Sequence, residues 1–201
     1  MGAFAAGCTR IFPGKRDDEK ADTKPTPAPL QPAGEKTFSY AIELQRSGAP
    51  QLVKEDYGFH SGDGFRVRFK PGFSSYIYVL NRGNREKSYK LLFPSALVRA
   101  RNPIASGNEA MIPDDPQKWM RMDEVAGEEN FILVASMAPL PDLEDPQRLS
   151  VDQVDQALAG IERQYRPQSS RRFADQDWVK VLAADGGKDI ALVLRIPLRH
   201  S

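Results

Sequence analysis

The chain has 201 residues, 40% of them hydrophobic, enough to fold one domain with a tail and without help from disulfides or metal. Lys and Arg total 28 against 27 Asp and Glu, a net charge of +1, so no long-range field draws in a polyanion and no nucleic acid partner is expected. A single cysteine, Cys8, and two histidines, His60 and His200, exclude an intrachain disulfide and a Cys/His zinc cage, and no cofactor motif is present.

The chain begins Met1-Gly2-Ala3-Phe4-Ala5-Ala6-Gly7-Cys8. Residues Ala5 to Cys8 resemble a bacterial lipoprotein box, which implies lipid attachment at Cys8 and a membrane contact through that lipid. Thr9 after the cysteine resembles lipoproteins sent to the outer membrane. Ala5 stands where that family usually has Leu, and the charged and long apolar regions of a signal peptide are missing before it; a start upstream of Met1 would supply them. Residues 1–36 then read as a disordered tether. The cluster Lys15-Arg16-Asp17-Asp18-Glu19-Lys20 and the run Lys24-Pro25-Thr26-Pro27-Ala28-Pro29 bury nothing and favour an extended, solvated chain. No run of about 20 apolar residues exists to cross a membrane as a helix.

From residue 37 to 201 a single β-sandwich domain is expected, because short segments of period two alternate with Gly, Pro, Asn and Asp. Phe38, Tyr40, Ile42 and Leu44 share one face of the first strand. Ser61-Gly62-Asp63-Gly64 is a turn. Phe65, Val67 and Phe69 point inward on the next strand and Arg66 and Arg68 outward. Ser75–Leu80 and Ser88–Pro94 form a hairpin around Asn81-Arg82-Gly83-Asn84. Residues 95–130 are rich in Pro, Gly and charge and predict a long loop with a short strand near Trp119. Phe131–Ser136 is a buried strand. Trp178–Leu182 and Ile190–Ile196, flanking Asp185-Gly186-Gly187, predict a C-terminal hairpin.

One helix, over about 150–166, interrupts this pattern. Ser150 and Gln153 make a capping box, Leu149 can staple onto Val154, and Val151, Val154, Leu158, Ile161 and Tyr165 form one apolar stripe ended by Pro167. The stripe is expected to pack on the sandwich.

The order Ser61-Gly62-Asp63, then Tyr76-Ile77-Tyr78-Val79-Leu80, then Leu92-Phe93-Pro94, then Gly127-Glu128-Glu129 and Ser136 with Pro139-Leu140 resembles the bacterial domain of unknown function 4384, over residues about 56–140. The resemblance implies an envelope or secreted protein and a sensing or docking module. It implies no catalytic residue. The helix and hairpin after Leu140 depart from it.

Candidate chemistry is sparse. His60 beside Ser61 and Asp63 is one conceivable relay, but neighbours on a turn point apart and a turn histidine explains it. Asp114-Asp115, Asp123-Glu124 and Glu128-Glu129 lack the alternating ligands of a calcium loop and read as solvated charge, so no metal site is expected. Arg163, Arg166, Arg171 and Arg172 form a basic patch that could meet anionic lipid headgroups, or simply suit a helix C-terminus.

These features predict a mainly β protein, an immunoglobulin-like β-sandwich with one added α-helix and a C-terminal hairpin. The expected function is a non-catalytic module at the bacterial cell envelope, outer membrane or periplasm, engaging an envelope protein partner; without a signal remnant it would be cytoplasmic. The alternatives are a hydrolase or peptidase with its site in the 95–130 loop and an envelope enzyme inhibitor that inserts loop tips.

Overall fold

A computed structural model describes residues 36–82, 88–95, 101–164, 171–175, 178–182 and 190–201. Its elements are β1 (Thr37–Gln45), β2 (Gln51–Val53), β3 (Gly58–Phe59), β4 (Gly64–Pro71), β5 (Tyr76–Arg82), β6 (Lys90–Phe93), β7 (Ala110–Ile112), β8 (Met120–Arg121), β9 (Gly127–Ser136), α1 (Val151–Gln164), β10 (Arg171–Asp175), β11 (Trp178–Leu182) and β12 (Ala191–His200). The described residues are mostly β, in two sheets with one α-helix. Sheet A runs β10-β11-β1-β4-β7, with β2 also on β1 and β8 also on β4; sheet B runs β3-β12-β9-β5-β6.

Alternation explains the first core. Phe38, Tyr40, Ile42 and Leu44 of β1 and Phe65, Val67 and Phe69 of β4 lie on one face of sheet A, and they meet Ile77, Val79, Phe131, Leu133, Leu194, Ile196 and Leu198 of sheet B. Edge-to-face contacts join the sheets, Phe65 against Phe131 at 5.5 Å and Phe69 against Phe93 at 5.8 Å between ring centroids.

Strands β5 and β9 are apolar on both faces because sheet B is covered twice. Tyr78, Leu80, Ile132 and Val134 turn away from sheet A into a second cluster with Leu143, Val154 and Leu158. The capping box forms as the sequence predicts: the Ser150 N–H donates to Gln153 Oε1 at 2.8 Å and the Gln153 N–H to Ser150 Oγ at 3.2 Å. Leu149, Val151 and Ile161 are partly buried in the same cluster. The helix therefore starts one residue later than expected, and Tyr165 and Pro167 lie outside the described residues.

Three expectations need correction. The C-terminal hairpin does not form: β11 pairs with β10 and β1 in sheet A, whereas β12 pairs with β9 and β3 in sheet B. The ten residues of β12 pair along all ten of β9, from Ala191↔Ser136 to His200↔Gly127, and so satisfy more backbone groups than the five-residue β11 could. Residues 95–130 are also no free loop. Beyond β8, which adjoins Trp119 as expected, β7 pairs with β4 through Val67↔Ile112 and Phe69↔Ala110. Finally, β9 starts four residues before Phe131, because the polar Gly127–Asn130 find backbone partners on β12. The β5–β6 hairpin forms, with its turn residues 83–87 outside the described set.

Candidate functional site

One edge of β1 is shared by two short strands. β11 pairs with Thr37 to Tyr40 and β2 with Ile42 to Leu44, so on that side Ala41 has no register partner. At this break a cavity of about 440 Å³ opens, lined by Tyr40, Ala41, Ile42, Val53, Trp178 and Val179, with Lys54, Glu55 and Asp56 in its wall. Cross-strand register makes the break: Val53 stands opposite Ile42 and Val179 opposite Tyr40 on the core face. Trp178 precedes Val179 and therefore belongs to the outer face.

The polar part of the wall is built by the turn after β2. Tyr57 N–H donates to Lys54 O at 3.1 Å, which closes a turn carrying Glu55 and Asp56. The Tyr40 hydroxyl donates to Glu55 Oε1 and ties that turn to β1. Lys54 and Asp56 are exposed. Arg68 lies over the Trp178 ring at 5.4 Å. The site is thus an apolar recess whose wall carries two carboxylates and one ammonium, in the size range of small-ligand pockets, about 300–1,000 Å³.

Residues 58–139 match DUF4384, a domain of unknown function. No curated protein and no solved structure matches the chain. The DUF4384 segment runs from β3 to just past β9, so it includes β4, β5 and β9 but neither β1 nor β12. Every residue lining the cavity lies outside the DUF4384 match, on β1, the β2 turn or β11.

The residues singled out in sequence have structural partners. Asp63 is only 5% exposed and receives Arg46 Nε at 2.8 Å, Arg46 Nη2 at 2.6 Å and the His60 N–H at 2.9 Å. The hydrogen bond from Arg46 holds the Asp63 carboxyl below the usual range, against the opposing effect of burial. The carboxylate is thereby committed to Arg46 and the turn. The turn closes through Asp63 N–H to His60 O at 3.0 Å with Gly62 at φ +83°, a position where glycine carries no strain. His60 Nδ1 meets Arg46 Nη2 at 2.5 Å rather than a serine hydroxyl.

The acidic clusters are spread along the fold. Asp115 accepts the Gln117 N–H, Asp123 accepts the Val125 N–H, Glu128 meets Arg199, and Glu129 accepts from Asn81. Among the described residues no three His, Cys, Asp or Glu side chains are placed to hold a metal. Arg163 Nε donates back to Ala159 O at 3.2 Å, within the helix end. Cys8 and Arg166 lie outside the described residues, as do the side chains of Arg171 and Arg172.

None of residues 95–130 lines the cavity. Much of that stretch lies against sheet A, where Arg66 is 5% exposed, donates from Nε to Lys118 O at 2.9 Å and from Nη2 to Pro116 O, and lies 3.6 Å from the centroid of Trp119. Gly64 accommodates that indole: a Cβ there would come within 3.2 Å of Trp119 Cβ. Arg66 was expected to point outward, and it does, under a roof the sequence did not announce. The exposed large hydrophobic residue among those described is Val125, 37% exposed, near β9.

The cavity itself escaped the sequence reading. Its available signal was weak: Ala41 is a small residue on the outer face of a strand whose other residues are mostly large, and Lys54-Glu55-Asp56 is a polar triplet between two short strands.

Proposed function

We propose that this chain is a non-catalytic binding module of the bacterial envelope, held to a membrane by a lipid on Cys8 and engaging another protein. The cavity at the β1 break carries this reading: it is a preformed apolar recess, whereas the candidate relay at His60 and Asp63 is occupied by Arg46. An immunoglobulin-like frame is part of the proposal. It is supported by the order β12-β9-β5-β6, which resembles the G-F-C-C′ sheet, and by β1-β4-β7, which resembles A-B-E. On that mapping α1 and the β10–β11 hairpin are an insertion between the last two strands. Folds of this class carry recognition on loops, and the β1 break has the Lys54–Asp56 turn in its wall.

Two measurements test the proposal. Metabolic labelling with a fatty-acid analogue should mark the wild type and not Cys8→Ala; equal labelling would remove the anchor. A photo-cross-linking residue at Asp56 in intact envelopes should capture a protein, and Trp178→Ala should reduce that capture. Recovery of the monomer alone from both would count against a partner at this cavity.

A further inference from the structure

The free charges of the wall narrow what the cavity takes. We infer that it binds a free amino acid with an apolar side chain, such as leucine, as a zwitterion; this rests on the reading of the cavity as a binding site and adds a small ligand to the protein partner. Of the charged groups at the recess, Glu55 and Arg68 are engaged. Glu55 accepts the Tyr40 hydroxyl and has a further interaction. Arg68, over the Trp178 ring, is paired with Glu43 and Glu109. Lys54 and Asp56 remain. Both are exposed and both line the cavity, and neither is ion-paired with the other or with another described residue.

One unanswered ammonium beside one unanswered carboxylate favours neither a cation nor an anion. It favours a ligand that carries both charges. An amino acid holds its α-ammonium and α-carboxylate on one carbon, so a single molecule answers Lys54 with its carboxylate and Asp56 with its ammonium. Those two residues belong to the one turn closed by the Tyr57 N–H on Lys54 O. The third substituent of the same carbon is the side chain, and the rest of the lining suits an apolar one: Ile42, Val53, Trp178 and Val179, with the small Ala41 at the strand break. A polar side chain would bury its own groups against that surface without partners. A residue within a protein chain carries neither backbone charge and leaves both Lys54 and Asp56 unanswered. A cavity of about 440 Å³ holds an amino acid of this class whole.

The test titrates L-leucine into the full chain near neutral pH while backbone amide shifts are followed, beside probes that each remove one feature. Glycine lacks the side chain, isoamylammonium the carboxylate, 4-methylpentanoate the ammonium, and N-acetyl-leucinamide both charges. Leucine should shift amides of residues 40–42, 53–56 and 178–179. Glycine should bind about tenfold more weakly, for want of a buried apolar side chain, and each singly charged analogue about threefold more weakly, as for exposed ion pairs. Asp56→Asn and Lys54→Gln change exposed residues and keep the fold. Asp56→Asn should weaken leucine and isoamylammonium and spare 4-methylpentanoate; Lys54→Gln should weaken leucine and 4-methylpentanoate and spare isoamylammonium. Either singly charged analogue binding as tightly as leucine, or both variants weakening the same analogue alike, would overturn the zwitterion while leaving the cavity as a binding site. Glycine binding as tightly as leucine would overturn the apolar recess as the selecting surface. N-acetyl-leucinamide binding as tightly would overturn the free amino acid in favour of a leucine within the partner protein. No shift at these residues with any probe, in a chain whose spectrum is otherwise folded, would overturn this inference, and the protein partner would then stand or fall on the cross-link at Asp56 alone.

Discussion

The outer faces of the two sheets are both covered, by opposite chemistry. On sheet B the cover is α1, laid over Tyr78, Leu80, Ile132 and Val134 through Val154 and Leu158, an apolar contact with little directional demand. On sheet A the cover is the segment through Trp119, held to a row of charges in which Arg66 reaches Glu43 at 3.6 Å and Arg68 reaches Glu43 at 3.8 Å and Glu109 at 2.5 Å. An apolar cover tolerates small shifts and loses stability in proportion to volume removed. A polar cover depends on a few groups, each of which leaves others unpaired when deleted. The two should therefore fail differently.

The largest effect is expected under the helix. Leu158 is fully buried between α1 and sheet B, and Leu158→Ala should destabilise by about 3 kcal/mol, the middle of the range for large-to-small core changes. Chemical denaturation read as a change in midpoint at constant slope measures it. A loss under about 1 kcal/mol would mean that the helix contributes little to the fold and that sheet B stands without its cover.

The polar cover ranks next. Removing the Arg66 guanidinium strands two backbone carbonyls and leaves Glu43 to Arg68 alone, so Arg66→Ala should cost about 2 kcal/mol, typical of hydrogen bonds to a charged group. Arg68 is the internal control. Its side chain is 29% exposed and its partner Glu109 is 40% exposed, so Arg68→Ala should cost less than about 1 kcal/mol despite the shorter ion-pair distance. Equal losses at the two positions would show that burial under Trp119 adds nothing to the Arg66 contacts.

The contrast between the faces also sorts what was legible in the sequence. The two-sheet core was legible because Phe38, Tyr40, Ile42 and Leu44 repeat at period two and survive as one buried face. So was the helix, whose cap and stripe are local in sequence. What failed was long-range pairing. Nothing in Trp178–Leu182 says that it joins β1 rather than β12, because both strands offer alternating apolar residues and the choice is made by the length available on β9. The roof on Arg66 was equally hidden, since a carbonyl acceptor at Lys118 has no side-chain signature. The cavity shares this origin: it exists because β2 and β11 stop on either side of Ala41, a consequence of pairing.

Alkaline pH also separates the two covers. Tyr89 is 4% exposed and its hydroxyl donates to Asp155 of α1 at 2.7 Å, with Arg82 over the ring at 5.4 Å. Burial first, then the bond to Asp155, raise the Tyr89 phenol above its ordinary value, so the folded state prefers the neutral form. A group raised in this way contributes stability that is complete below the unfolded value of about 10 and is lost as pH climbs through the higher folded value. Tyr78, raised chiefly by burial on the same face, acts in the same direction. The helix side should therefore loosen in alkali. Tyr89→Phe should cost about 1 kcal/mol near neutrality through the lost hydrogen bond to Asp155, and it should flatten part of the stability loss as pH climbs above about 10. Tyr78 accounts for a remainder in that window. Arg66 lies on the outer face of sheet A, bonded to Lys118 O and paired with Glu43 rather than to either tyrosine, so an Arg66→Ala chain should keep the wild-type alkaline slope. If Tyr89→Phe left that slope unchanged while Arg66→Ala altered it, the alkaline sensitivity would belong to sheet A and the division of the two covers into apolar and polar would have to be redrawn.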